Sequence, residues 1–274
     1  MPTVTTSDGV RLHVEDTGGD RRPLVMLHGW PCSGAFFDRA AADLASVARV
    51  VRPDLRGFGR SDKPDHGYRV SRLAKDLHDL LAQLDLREVT VLGWSLGCAV
   101  IWSYVELFGN DRLAQAVFVE QSPRQWRGPG WDLGHREIVD QQSLLDLQAR
   151  VSADPAAFDE GNMSTLLRTP PAPAEHERLM AEMALSPVHA RNALMADHTA
   201  HDWRDLLPHV DLPTLVLVAR HDPAFPADGV AWVGDAVPGA QTAYFDHSAH
   251  ALFLDEPERF AQVMTGFLKQ HSST

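Results

Sequence analysis

The sequence VTVLGWSLG, residues 89–97, decides the fold class of this chain. It begins with a β-branched, apolar run that is typical of a buried strand, and residues 99–108 continue it with an apolar segment of helical length. The Gly-x-Ser-x-Gly pattern between them is typical of a sharp strand-to-helix turn that exposes a serine. Gly93 and Gly97 flank that serine because side chains there would collide within the turn. We therefore predict that Ser95 is a nucleophile at a helix N-terminus, whose dipole favours negative charge.

Strand and helix signals alternate on both sides of this turn. Short apolar or β-branched runs predict further strands, and they lie at residues 10–14, 24–27, 49–51, 116–119, 214–218 and 242–245. Leucines at helical spacing over residues 70–84 predict one of the intervening helices. This alternation predicts an α/β fold with a mainly parallel sheet flanked by helices. Ligands of such sheets bind at the carboxyl ends of the strands.

The alternation stops between residues 121 and 206. This segment lacks short apolar strands and carries tryptophan, leucine and methionine among polar residues. We expect a mostly helical cap insertion there, over a core domain made of residues 1–120 and 207–274. A single α/β domain with an insertion suits a length of 274 residues.

A serine hydroxyl needs a base, because it is a poor nucleophile at neutral pH. The chain has 14 histidines, and His247 and His250 are the two that closely follow the last predicted strand. The base in turn needs a carboxylate that fixes its tautomer and stabilises the imidazolium. Asp222 and Glu120 each follow a predicted strand, so both are candidates for the acid.

The sequence HGWP, residues 28–31, follows the predicted strand at residues 24–27. A backbone N–H in this position can meet the oxygen of a tetrahedral intermediate. We predict an oxyanion hole formed by the N–H groups of Trp30 and Leu96.

Together these motifs resemble the α/β-hydrolase fold superfamily over nearly the whole chain. The matching segments are HGWP (28–31), PDLRGFGRSD (53–62), GWSLG (93–97), RHDPAFP (220–226) and SAHALFLDEP (248–257). The resemblance is greatest to serine esterases and cofactor-free haloperoxidases, and it implies an eight-stranded, mainly parallel sheet with a helical cap. Epoxide hydrolases and haloalkane dehalogenases are also similar, but they carry Asp where this chain has Ser95.

The resemblance also implies roles for particular residues. His250 is favoured as the base because residues 251–257 resemble the segment that follows the catalytic histidine in this fold. Asp222 is favoured as the acid because its spacing to Pro226 resembles the usual acid loop. Glu120 remains the alternative acid.

The implied reaction is hydrolysis of a carboxylic ester or lactone through an acyl-enzyme, with no metal or organic cofactor. We expect a small to medium, partly apolar substrate, with Trp94, Trp126 and Trp131 as candidate pocket residues. The tryptophans of the cap could equally form its own core. An alternative is a cofactor-independent dioxygenase that cleaves 3-hydroxy-4-quinolone rings, with His250 as base and Glu120 as its partner. A third interpretation is a non-catalytic receptor for a small molecule.

Composition excludes several other classes. The net charge of −12 disfavours nucleic-acid binding. No apolar run approaches the roughly 20 residues of a membrane helix, and no signal peptide is recognisable, so we expect a cytoplasmic protein. Cys32 and Cys98 are expected to be free thiols. His198, His201 and Asp202 lie close together in the sequence, but such a cluster is more often a solvated surface than a metal site.

Overall fold

A computed structural model describes residues 3–270 of the chain. The strands are β1 (Thr3–Thr5), β2 (Arg11–Asp16), β3 (Pro23–Leu27), β4 (Arg49–Pro53), β5 (Val89–Trp94), β6 (Leu113–Val119), β7 (Thr214–Ala219) and β8 (Gln241–Phe245). The helices are α1 (Asp38–Leu44), α2 (Val70–Gln83), α3 (Leu96–Phe108), α4 (Gln141–Ala153), α5 (Pro155–Leu166), α6 (Pro173–Met183), α7 (Val188–Thr199), α8 (Ala227–Ala236), α9 (Leu252–Asp255) and α10 (Pro257–Gln270).

The eight strands form one sheet in the order β1-β2-β4-β3-β5-β6-β7-β8. The pairs β1–β2 and β2–β4 are antiparallel, and all other neighbours are parallel. The predicted α/β fold with a mainly parallel, eight-stranded sheet is therefore confirmed. The sequence interpretation missed β1, which is only three residues long and carries too short a pattern to be recognised.

Helices cover the central strands on both faces. Alternate residues of β3 pack into different hydrophobic clusters: Val25 and Leu27 into one, and Leu24 and Met26 into the other. Because both faces are buried, these strands are continuous apolar runs rather than alternating ones. This is why strands β3, β5, β6 and β7 were recognisable from the sequence.

Helices α4 to α7 lie between β6 and β7, where the insertion was predicted. We propose that residues 121–206 form a cap over a core of residues 1–120 and 207–274. The first part of this segment is not helical, since isolated bridges pair Arg124 with Asp202 and Gly128 with Trp131. Within residues 3–270, none of the helices combines the length and apolar character that a bilayer-crossing segment requires.

A buried ion pair joins the three helices α5, α6 and α7. The Arg191 guanidinium on α7 donates two parallel hydrogen bonds to the Asp159 carboxylate on α5, at 2.7 and 3.0 Å. The same guanidinium donates to the carbonyl oxygens of Met183, at the end of α6, and Ser186. Both charged side chains are almost fully buried, at 1% and 3% exposure. Such a bidentate geometry fixes the relative orientation of the helices that it joins.

Replacing Arg191 by methionine should lower the free energy of unfolding by about 3 kcal/mol or more, because Asp159 would become an unpaired buried charge. Urea denaturation measures this loss. The double variant Arg191→Met/Asp159→Leu is the matched control, and it should recover most of the stability because no buried charge remains. Equal instability of the single and double variants would contradict the role assigned to this pair.

Candidate active site

Ser95 occupies a strained turn between β5 and α3. Its backbone has φ 54° and ψ −118°, a conformation that non-glycine residues rarely adopt. A Cβ atom on Gly93 would lie 2.3 Å from the carbonyl carbon of Gly97, and one on Gly97 would lie 2.4 Å from the Leu27 carbonyl oxygen. Only glycine fits at either position. The packing that requires both glycines therefore also holds Ser95 at the carboxyl end of the sheet.

The loop after β3 passes directly beside this turn. A Cβ atom on Gly29 would lie 3.1 Å from the Cβ atom of Ser95. Trp30 follows in this loop, and Leu96 is the first residue of α3, where an N–H has no partner within the helix. The structure thus brings the segments of both residues to Ser95. The role of their N–H groups as an oxyanion hole stays a prediction.

The buried side chain of His28 connects this loop to the loop that follows β4. The Leu55 N–H donates to Nε2 of His28 at 2.9 Å, and Nδ1 lies 2.9 Å from the Gly29 carbonyl oxygen. The ring is fully buried, and burial lowers its pKa, so it is neutral. With Nε2 accepting, the proton is on Nδ1, which donates to Gly29. A neutral imidazole can bridge the two loops in only this tautomer.

His250 and Asp222 are hydrogen bonded to each other. His250 follows β8 and Asp222 follows β7, and Nδ1 of His250 lies 2.8 Å from Oδ2 of Asp222. The other Asp222 oxygen accepts from the Ala224 N–H at 2.7 Å. Burial acts to raise the pKa of Asp222, but the charge of His250 and these hydrogen bonds hold it below its ordinary value. Asp222 is therefore ionised, and Nε2 of His250 remains free to act as a base.

Ser95 and His250 line the same cavity. Within residues 3–270, no hydrogen bond joins the Ser95 hydroxyl to the His250 ring. Hydrogen bonds between catalytic groups are often long in unliganded enzymes and shorten with substrate. The arrangement thus places a serine hydroxyl, an imidazole and a carboxylate hydrogen bonded to that imidazole at one end of the sheet.

Trp94 holds the His250 loop against the turn of Ser95. Its Nε1 donates to the His250 carbonyl oxygen at 2.8 Å, and its ring packs edge-on against Phe253 with the centroids 5.0 Å apart. The side chain is fully buried and does not reach the cavity. Trp94 is thus a core residue and is not part of the lining of this cavity.

Glu120 lies fully buried beside Asp222 rather than exposed at the site. Potential ligand atoms of Glu120, Asp222 and His250 all lie within 4.8 Å of one another. Oε1 of Glu120 accepts from the Ala219 N–H, so this side chain supports the end of β7. Burial and the charge of Asp222 raise the pKa of Glu120 well above its ordinary value. A protonated Glu120 can donate a hydrogen bond to Asp222. The ring of His250 is hydrogen bonded to Asp222 rather than to Glu120.

The raised pKa of Glu120 predicts that the difference in stability between the native protein and Glu120→Gln depends on pH. Above the ordinary pKa of 4.5, the unfolded chain loses this proton while the folded protein keeps it, so rising pH favours unfolding. Glu120→Gln removes this titration. Relative to the native protein, the variant should gain stability as the pH rises above 4.5, with a slope of up to about 1.4 kcal/mol per pH unit. Urea denaturation of both proteins at several pH values measures this, and a constant difference would contradict a protonated Glu120.

A cavity of about 500 Å³ opens above Ser95 and His250. Its wall is mainly apolar and is contributed by the core loops and by α4, α5 and α7; lining residues include Trp30, Ile138, Leu147, Phe158, Leu166, Met195 and Phe225. The volume suits a small or medium organic molecule.

Trp126 and Trp131, the other two candidate pocket residues, are not part of the lining of this cavity. Trp126 packs against the hydrophobic cluster that contains Leu147. Trp131 packs edge-on against Trp232, with its Nε1 donating to the Arg124 carbonyl. Trp126 therefore packs within residues 121–206, the second of the two roles considered, whereas Trp131 packs against α8, outside that segment.

His198 is a cavity residue, although the sequence interpretation placed it in a surface cluster. It is 3% exposed, and burial lowers its pKa to about 3. His201 instead stacks on Trp203, and its Nε2 lies 3.2 Å from Oδ2 of Asp197. Asp202 forms an ion pair with Arg204. The three residues thus do not converge on one point. Gln125 and His135 also line the cavity, and no motif in the sequence indicated them.

Comparison with known proteins agrees with the fold. Residues 22–257 match the family model described as alpha/beta hydrolase fold. A non-heme chloroperoxidase of Kitasatospora aureofaciens is 29% identical over 281 residues, which cover 98% of this chain and 100% of that protein. A pimeloyl-(acyl-carrier protein) methyl ester esterase of Vibrio cholerae is 28% identical over 91% of this chain and 95% of that protein. Among solved structures, an esterase from Exiguobacterium antarcticum superimposes with a TM-score of 0.92 at 24% identity, covering 97% of this chain and 98% of that one, which supports the fold alone.

Proposed function

This chain belongs to the α/β-hydrolase fold family, and on that premise we propose that it is a serine hydrolase that cleaves a carboxylic ester or lactone. The observation that carries the proposal is the strained Ser95 sharing one cavity with a His250 that is oriented by Asp222. The names of the esterase relatives support the same reaction class. The mainly apolar cavity favours a small to medium, partly apolar substrate.

The reaction proceeds in two halves. The Ser95 oxygen attacks the substrate carbonyl carbon as Nε2 of His250 accepts the hydroxyl proton. The N–H groups of Trp30 and Leu96 donate to the resulting oxyanion. The tetrahedral intermediate then collapses, the bond to the leaving oxygen breaks, and His250 returns the proton to the leaving alcohol.

Water completes the cycle. His250 accepts a proton from the water that attacks the acyl-enzyme, and the second tetrahedral intermediate releases the carboxylic acid and regenerates Ser95. Asp222 stays ionised throughout and stabilises the imidazolium. In a lactone the leaving alcohol stays attached to the acyl group, so the single product is a hydroxy acid.

The dioxygenase alternative requires the acid that follows β6 to support the base. Glu120 has that position in the chain, but the partner of the His250 ring is Asp222, and this observation favours the hydrolase. Hydrolysis of p-nitrophenyl esters with two to eight acyl carbons, together with a set of lactones, tests the proposal. We expect saturable turnover of several esters. No turnover, together with oxygen uptake on a 3-hydroxy-4-quinolone, would contradict the proposal and support the alternative.

A further inference from the structure

The cavity wall carries buried polar atoms that have no protein partner. Gln125 is 4% exposed, and its Oε1 atom makes no hydrogen bond within residues 3–270. His198 is 3% exposed, and its Nδ1 atom is likewise unpartnered in this part of the chain. Leaving a buried polar group without a partner is unfavourable, so each such group calls for an explanation such as a bound ligand or water. Both residues line the cavity that contains Ser95.

His135 adds a donor to the same wall. Its Nδ1 accepts the N–H groups of Glu137 and Ile138, each at 3.0 Å, so the ring proton is on Nε2. His135 and Gln125 belong to neighbouring segments of the wall, because the backbone N–H of His135 donates to the backbone carbonyl oxygen of Gln125 at 2.8 Å. His135 Nε2–H is thus a donor on a side chain that lines the same cavity as Gln125 and His198.

The three side chains carry no charge at neutral pH. Burial lowers the pKa of His135 to about 4 and, together with His201, that of His198 to about 3, so both rings are neutral. A neutral site does not compensate a buried carboxylate or ammonium group, whose desolvation is expensive. A hydroxyl group donates one hydrogen bond and accepts two, so it can donate to the Gln125 amide oxygen and accept from the His135 Nε2–H and from a protonated Nδ1 of His198.

We propose that Gln125, His135 and His198 form a neutral hydrogen-bonding subsite that binds a hydroxyl group of the substrate, away from the bond that is cleaved. The preferred substrates are then hydroxylated esters or lactones rather than purely hydrocarbon ones. This inference rests on the proposed ester hydrolysis, and it adds the chemical class of the substrate.

Two pairs of esters test the subsite. Each pair differs by one hydroxyl: p-nitrophenyl butyrate with its 3-hydroxy analogue, and p-nitrophenyl hexanoate with its 6-hydroxy analogue. In at least one pair, the native enzyme should prefer the hydroxylated ester in kcat/KM by roughly tenfold, as expected for one hydrogen bond to a buried group. Gln125→Leu and His198→Phe should each reduce this ratio towards one.

Met195→Leu is the matched control, because Met195 lines the same cavity and the exchange conserves volume without touching a polar group. The ratio for this variant should equal that of the native enzyme. No preference in either pair, or an unchanged preference in both Gln125→Leu and His198→Phe, would overturn the proposal.

A binding measurement separates failure of the subsite from failure of the hydrolase assignment. If the native protein cleaves no ester, binding of benzyl alcohol and of toluene to Ser95→Ala is compared by ligand-observed NMR. Tighter binding of the alcohol by roughly tenfold, lost in Ser95→Ala/Gln125→Leu, supports the subsite without any turnover. Equal binding of the two probes contradicts it.

Discussion

Ser95→Ala should lower kcat/KM for the best ester by at least about 10⁴-fold, because the acyl-enzyme can no longer form. The folded structure should persist, since alanine at this position removes only one oxygen atom. Steady-state kinetics with a p-nitrophenyl ester measures the loss, and circular dichroism checks the fold.

Ser103→Ala provides the matched control for this variant. Ser103 lies two turns further along α3, is 2% exposed and does not line the cavity. Its replacement changes the same helix in the same way and should retain the native activity. Activity of Ser95→Ala within about tenfold of the native value would mean that another group is the nucleophile.

Asp222→Asn should lower kcat/KM by about 10³- to 10⁴-fold, because an amide at this position no longer selects the tautomer that leaves Nε2 of His250 free as a base. Glu120→Gln should cost less than about tenfold. Burial and the charge of Asp222 raise the pKa of Glu120 and favour its neutral form, and the glutamine amide is also neutral and can donate a hydrogen bond to Asp222.

These two isosteric variants decide between the two carboxylates that the sequence left open. Kinetics of both variants on one ester, at the pH of maximal activity, makes the comparison. A large loss in Glu120→Gln with little loss in Asp222→Asn would reverse the assignment of the acid and would favour the dioxygenase alternative.

The parts of the fold that the sequence predicted are those where one local pattern has one structural outcome. The doubly buried strands β3, β5, β6 and β7 are continuous apolar runs, and such runs indicate a parallel sheet. The turn at Ser95 was recognisable because two glycines are sterically required there. Edge strand β1 was missed because three residues carry no usable periodicity.

The pocket could not be predicted, because it depends on which side of each segment faces inward. Trp94, Trp126 and Trp131 are large and apolar, and these properties suit a core as well as a cavity wall. The structure places all three in packing interfaces. Gln125 and His198 are polar residues of types that are usually exposed, and only the tertiary structure shows that they are buried at the cavity.

The choice between Asp222 and Glu120 likewise needed three-dimensional information. Each follows the carboxyl end of a strand, Glu120 after β6 and Asp222 after β7, so the position in the chain does not distinguish them. Only the geometry distinguishes the carboxylate that contacts His250 from the one beside it.

Intact mass spectrometry after incubation with a fluorophosphonate tests the central claim most directly, because this reagent reacts with serines that a neighbouring base activates. The native protein should gain the mass of one phosphonyl adduct, and Ser95→Ala should gain none. An adduct on Ser95→Ala, or no adduct on well-folded native protein, would contradict the assignment of Ser95 as an activated nucleophile.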